Sequence, residues 1–144
     1  MRITSPAFSN QSPIPVKYTC QGEDINPPLE ISDIPPSTKS LVLIVDDPDA
    51  PMGTWVHWTV YNISPETTSI PENSIPGTQG WNNFGQKDWG GPCPPSGTHR
   101  YYFKIYALDQ DLNPSGKMTK KDIEGLMAGH ILAQAQCIGT YKKR

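Results

Sequence analysis

Cysteine is scarce in this chain and placed unlike a disulfide scaffold: Cys20, Cys93 and Cys137 form no close pair, and any single bridge leaves one over. Three free thiols are the expectation, with one bridge, for instance Cys20 to Cys137, as the alternative. Long apolar runs are missing too. No stretch approaches the roughly 18 residues of a membrane-spanning helix, and Met1-Arg2-Ile3-Thr4-Ser5-Pro6 lacks the apolar core of a signal peptide, so a cytoplasmic protein with no integral membrane segment is expected. Neither charge is in strong excess. The formal net charge is -2, and the basic residues are scattered apart from a solvated Lys142-Lys143-Arg144 tail, which excludes the basic stripe that nucleic-acid binding needs. Metal-ligand spacings of the Cys-x-x-Cys, His-Glu-x-x-His or calcium-loop type are absent, so neither a metal nor a cofactor is expected. A Gly-x-Ser-x-Gly elbow is absent as well, and Ser96 lies in a proline-rich loop with no base aimed at it. A hydrolase is therefore a minor alternative to a non-enzymatic protein.

What the chain has in abundance is proline, 16 residues, and glycine, 12, in a length of 144. Apolar runs between them exclude disorder, so they punctuate turns in one mainly β domain spanning 1–144. Ser40 to Val45 is continuously apolar and branched, a strand buried on both faces. Thr54 to Ile63 is β-branched and aromatic, and period two places Trp55, His57, Thr59 and Tyr61 on one face. In the run from Arg100 to Leu108 the same alternation sets His99, Tyr101 and Phe103 against Arg100, Tyr102 and Lys104. Phe8 to Leu29, with its four prolines, suggests short edge strands, and Ser64 to Asp88 a long ordered surface excursion. One helix is predicted, opened by a capping box of Thr119 and Asp122 and carrying Ile123, Leu126, Met127, His130 and Ile131 at helical spacing to about Gln134. Gln136 to Tyr141 closes the chain as a strand or extended tail.

Two segments about fifty residues apart carry the chemistry: Val45-Asp46-Asp47-Pro48-Asp49-Ala50-Pro51 and Gly90-Gly91-Pro92-Cys93-Pro94-Pro95-Ser96-Gly97-Thr98-His99-Arg100-Tyr101. Prolines stiffen both loops, so Asp47, His99 and Tyr101 are presented on a preformed rim. Asp47-Pro48-Asp49-Ala50-Pro51, then His57-Trp58, then Gly91-Pro92 leading to Gly97-Thr98-His99-Arg100-Tyr101, resemble the phosphatidylethanolamine-binding proteins, also called Raf kinase inhibitor proteins. Over nearly the whole chain, including Ile138-Gly139-Thr140-Tyr141, the likeness is to the small prokaryotic branch. The resemblance implies an antiparallel β-sandwich of a large and a smaller sheet, with Greek-key connections and one or two peripheral α-helices. It also implies an anion pocket lined by Asp47, Pro51, His57, Gly91, His99 and Tyr101, taking phosphate, other small anions or a phosphoethanolamine head group. Cys93-Pro94-Pro95 departs from the animal branch, and no further helix follows Tyr141.

An anion pocket needs fixed donors, and His57, His99, the Tyr101 hydroxyl and backbone N–H groups at Gly90, Gly91 and Gly97 could supply them. Asp47 would orient and charge an imidazole, and would also accept from a ligand ammonium group. The plain alternative for the two histidines is a pair of satisfied strand-end residues with no ligand. Asp49 is expected to pair with Arg100 and tie the two loops together, Asp46 to be solvated or to cap a turn, and His130 to be buried and hydrogen-bonded. Trp81 is assigned to packing and Trp89 to the pocket rim. The leading function is a binding protein for a small anionic or phosphorylated ligand that modulates a partner protein. The alternative is a protease or kinase inhibitor in which the pocket is incidental. Either a monomer or a homodimer fits.

Overall fold

The computed structural model describes residues 1–144, and its architecture is two β-sheets with one α-helix. The small sheet has the order β1 (Arg2–Thr4), β3 (Leu29–Ser32), β6 (Ser69–Ile70). The large sheet runs β2 (Ser12–Pro13), β9 (Ile131–Lys142), β8 (Thr98–Leu108), β4 (Ser40–Asp47), β5 (Trp55–Ile63), β7 (Thr78–Gln79). All pairings are antiparallel except the short one of β2 with β9.

Strand β4 sits mid-sheet and is buried at every position, as its unbroken apolar run requires. Its two faces feed two cores. Leu41, Leu43 and Val45 join Trp58, Tyr101, Phe103 and the small-sheet residues Ile3, Leu29, Ile31 and Ile70 in the larger core between the sheets. Val42 and Ile44 meet Tyr61, Ile123 and Met127 in a smaller core under α1 (Lys120–Met127). Each fully buried aliphatic or aromatic side chain here contributes about 1.5–3 kcal/mol of transfer free energy, so the sandwich is held chiefly by this double coverage.

The expected common face for Trp55, His57, Thr59 and Tyr61 is corrected by a β-bulge. Val45 pairs with Trp58 and Asp46 with Val56, which leaves His57 as the extra residue of β5. The bulge shifts the phase, so Trp55 and His57 share a face with Trp58 and Val60, while Thr59 and Tyr61 turn toward α1. A second irregularity follows at Asn62, whose φ of 53° is left-handed.

The helix begins as predicted, with the Thr119 side chain and the Asp122 carboxylate capping each other's backbone N–H groups. It stops seven residues short of the predicted end. Ala128 leaves the helical region, Gly129 takes a φ of +81°, and Ile131 already belongs to β9. His130 is accordingly not a buried helix residue but a partly exposed one, its Nδ1 bonded to Asp109 at 2.9 Å. Between Phe8 and Leu29 the expected edge strands reduce to Ser12–Pro13 and the start of β3, with a single 3-10 turn at Val16–Tyr18. The 64–88 excursion is ordered but contributes the short β6 and β7.

Candidate functional site

At one end of the large sheet β4 finishes while β5 and β8 begin, and this brings together residues far apart in sequence. Asp47, His57, His99 and Tyr101 open onto one cavity of about 220 Å³. Its remaining walls are Ala50 and Pro51, then Trp55 and Phe84, then Cys93, Pro94 and Pro95. The prolines have fixed φ, so the rim holds its shape without a ligand. Polar groups thus sit in a largely apolar cup, where electrostatic interactions are stronger than in water.

The hydrogen bonds fix what each polar group can offer. His99 Nδ1 lies 2.6 Å from Asp47 Oδ2, and a carboxylate only accepts, so Nδ1 carries the proton and Nε2 is left for the cavity. Asp47 Oδ1 accepts the Asp49 N–H at 2.8 Å, which pins the carboxylate in place. One hydrogen bond to each carboxylate oxygen orients Asp47 toward the imidazole and leaves further lone pairs to accept from a ligand. His57 Nδ1 donates to the Gly90 carbonyl at 2.6 Å, and Gly90 N–H donates to the His57 carbonyl at 3.0 Å. Burial holds the His57 pKa below its ordinary value, against the opposing pull of the Gly90 carbonyl and of Asp47 and Asp46. Neutral His57 therefore presents an Nε2 lone pair, an acceptor where two histidine donors were expected. Its ring meets Tyr101 and Phe84 edge-on, at 5.2 and 5.3 Å between centroids.

Tyr101 is the unusual member. Its hydroxyl is enclosed and no protein group meets it at full hydrogen-bond geometry, although the Cys93 backbone N–H lies close enough to oppose the rise in its pKa. Burial, and then the negative charge of Asp47, raise its pKa well above that of an ordinary phenol, so it stays a donor at any physiological pH.

Two residues assigned to the pocket lie elsewhere. Gly91 is behind the wall: its N–H donates to Asp24 Oδ1 at 2.8 Å, and a Cβ there would press on the Tyr18 carbonyl at 2.5 Å. Trp89 is half-buried against the larger core rather than on the rim, stacked on Phe103 and donating Nε1–H to the Tyr18 carbonyl. Asp49 does grip Arg100, accepting two guanidinium N–H bonds at 2.8 and 2.9 Å plus the Arg100 backbone N–H at 2.9 Å. Hydrogen bonding to that guanidinium lowers the Asp49 pKa to about 2. Asp46 is not solvated. It is 1% exposed on the opposite face, where Lys104 and Lys120 approach at 3.0 and 2.9 Å. Trp81 lies between Lys117 and Lys87, each over its ring.

The free-thiol expectation is also corrected. Cys20 and Cys93 form a disulfide, Cys137 is the free one, and the Cys20–Cys137 alternative is thereby excluded. Sequence gave no sign of this pairing, because 73 residues separate the partners and only the fold brings their Cα atoms to 5.5 Å. Trp55 and Phe84 were likewise missed. Trp55 could have been found by stepping two residues back from His57, whereas Phe84 comes from a loop without periodicity.

Residues 4–142 match the family profile described as phosphatidylethanolamine-binding protein. The chain belongs to the phosphatidylethanolamine-binding protein family. Within the family, a UPF0098 protein of Chlamydia trachomatis is 49% identical with 99% of each chain covered, and one of Methanothermobacter thermautotrophicus is 44% identical with the same coverage. Among solved structures, the family homolog CT736 of Chlamydia trachomatis superposes with a TM-score of 0.96 at 48% identity, covering 99% of this chain and 97% of that one. E. coli YbcL, described as a member of the mammalian family, gives 0.90 at 30% identity, with 99% and 98% covered.

Proposed function

We propose that the protein binds a small phosphorylated or otherwise anionic ligand in the Asp47–His57–His99–Tyr101 cavity and performs no chemistry on it. The carrying observation is the Tyr101 hydroxyl, an enclosed donor without a partner, on the same wall as the His99–Asp47 pair. An unsatisfied buried donor costs the fold about 1–3 kcal/mol, and a bound oxyanion would recover it. Asp47 holds the His99 ring through Nδ1, so its Nε2 faces a second ligand atom. Neutral His57 accepts from a ligand hydroxyl, such as the P–OH of a phosphate monoanion.

No serine hydroxyl and no free thiol lines the cavity, which supports binding over a route through a covalent Ser or Cys intermediate. Cys93 is spent in the disulfide, the Tyr101 phenol stays protonated, and Ser96 is off the cavity wall. The same disulfide argues against the cytoplasmic location expected from the sequence, because a reducing cytosol keeps most thiols reduced.

Calorimetric titration with phosphate, phosphoethanolamine and sulfate at about pH 6 and pH 8 tests the reading. Sulfate keeps its charge across that range, so its pH dependence reports on the protein. Because burial holds the His57 pKa below its ordinary value, that ring stays an acceptor over most of this range, so sulfate, which has no P–OH to donate, should bind less tightly than phosphate at about pH 6. His99→Ala should weaken every anion by at least about tenfold, or 1.4 kcal/mol. Absence of saturable binding by any of the three would overturn the reading.

A further inference from the structure

We infer that the groove beside Trp81 is a docking surface for an acidic segment of a partner protein, whose carboxylates sit among Lys87, Lys117 and Lys121. The groove has a volume of about 320 Å³ and lies between the loop after β7 and the first turn of α1. Phe84 of that loop belongs to the anion cavity, but the two hollows share no lining residue.

Charge sets the sign of the occupant. Lys117, Lys120 and Lys121 line the groove against a single acid, Glu124, in a chain whose net charge is -2. Lys120 is already engaged, its Nζ 2.9 Å from the buried Asp46 carboxylate. Asp122, the other acid of that turn, is committed to the Thr119 cap. Lys117, Lys121 and the neighbouring Lys87 are exposed and make no ion pair. Two of them set their ammonium groups over the Trp81 ring, Lys117 at 4.8 Å from its centroid and Lys87 at 5.4 Å. The indole thus gathers two like charges from segments far apart in sequence, and a bound carboxylate would relieve their repulsion.

The walls are fixed before any partner arrives. Trp81 N–H donates to the Met118 carbonyl at 2.8 Å, which ties the loop to the residue after Lys117. Asn83 N–H donates to the Val56 carbonyl at 2.9 Å, and Asn83 Oδ1 accepts the Val56 N–H at 2.7 Å. Asn82, 5% exposed, holds the turn from within by accepting the Phe84 and Gln86 N–H groups. Since Asn83 Oδ1 is engaged, its amide N–H groups are what it offers to a partner's backbone carbonyl.

Three free ammonium groups are fewer than the roughly 6–10 phosphate contacts on which a DNA complex rests, so nucleic acid fits poorly. A membrane is flat and would meet only the lysine tips, leaving the indole and Asn83 unused. A short run of Asp or Glu matches all three features: carboxylates for the lysines, side-chain methylenes for Trp81 and a carbonyl for Asn83.

Titration of the full chain with a fluorescein-labelled octaglutamate peptide, read by anisotropy, tests the inference. Saturable binding is expected, weakening several-fold between about 50 and 200 mM salt as exposed charges are screened. Lys87→Glu with Lys117→Glu should weaken it at least about tenfold. Lys142→Glu with Lys143→Glu makes the same change of net charge on the exposed C-terminal tail, and should leave the affinity within about twofold. All four lysines are exposed, so both double variants are expected to fold. No saturable binding at the lower salt overturns the inference. So do equal affinities of the two double variants, which would place the peptide elsewhere or reduce its attraction to net charge. An oligothymidylate of equal charge that binds as tightly overturns it too, because the groove would then take any polyanion. Each readout concerns the Trp81 groove, so this inference and the anion-cavity reading fail separately.

Discussion

Tyr101 illustrates how a single residue can be costly to the fold and useful at the site. Its ring is part of the larger core while its hydroxyl finds no partner, so the ring stabilises the protein and the oxygen destabilises it. Tyr101→Phe keeps the ring and removes the orphan. It is expected to raise the unfolding free energy by about 1 kcal/mol while weakening phosphate binding several-fold, measured by urea denaturation and calorimetry on the same preparation. A purely structural tyrosine would lose stability and leave binding alone. His57 shows the same economy of roles: the Gly90 carbonyl fixes its tautomer and burial fixes its charge. A histidine's donor or acceptor character is therefore a property of its neighbours, and the sequence pattern named the residue without naming its role.

At the scale of elements, the cavity exists because three strand ends and two stiff loops are held in register. The Asp49–Arg100 pair ties the loop after β4 to the start of β8, and the bulge at His57 turns that side chain into the cavity. Asp49→Asn should lower the unfolding midpoint at neutral pH. Its depressed pKa means the pair's contribution is present above the unfolded carboxyl value near 3.9 and drains away as pH falls through about 2. Thermal scans from pH 7 downward should therefore show the variant and the unaltered protein converging in acid. The strands at 40–45, 54–63 and 100–108 were legible because branched and aromatic runs have few other conformations. The bulge was not legible, since one inserted residue leaves composition unchanged and shifts only the phase. The helix end was misplaced for a similar reason: Ile131 fits a helical stripe and a strand equally well, and Gly129 chose between them.

For the molecule as a whole, the Cys20–Cys93 bridge joins the cavity wall at 93–95 to the segment beside Asp24, which also holds the Gly91 N–H. Closing a loop of 73 residues removes unfolded-chain entropy equivalent to roughly 4 kcal/mol, by the chain-entropy account. Reduction, or Cys20→Ser with Cys93→Ser, is expected to lower stability by roughly 2–4 kcal/mol and to weaken anion binding, read by denaturation and titration with and without a dithiol. Cys137 will not substitute in exchange, because burial pushes its thiol up to about 12 and so removes the reactive thiolate. By itself the sequence determined a mainly β single chain, its central strands, the start of its helix, and the two proline-stiffened segments bearing Asp47, His99 and Tyr101. These follow from local preferences, which act over a few residues. The tertiary structure alone decided that Gly91 and Trp89 lie behind the wall, that Phe84 completes it, that Asp46 is buried between two lysines, and which cysteines meet. Each of these depends on contacts between distant segments, and a chain read in one dimension carries no distance between them.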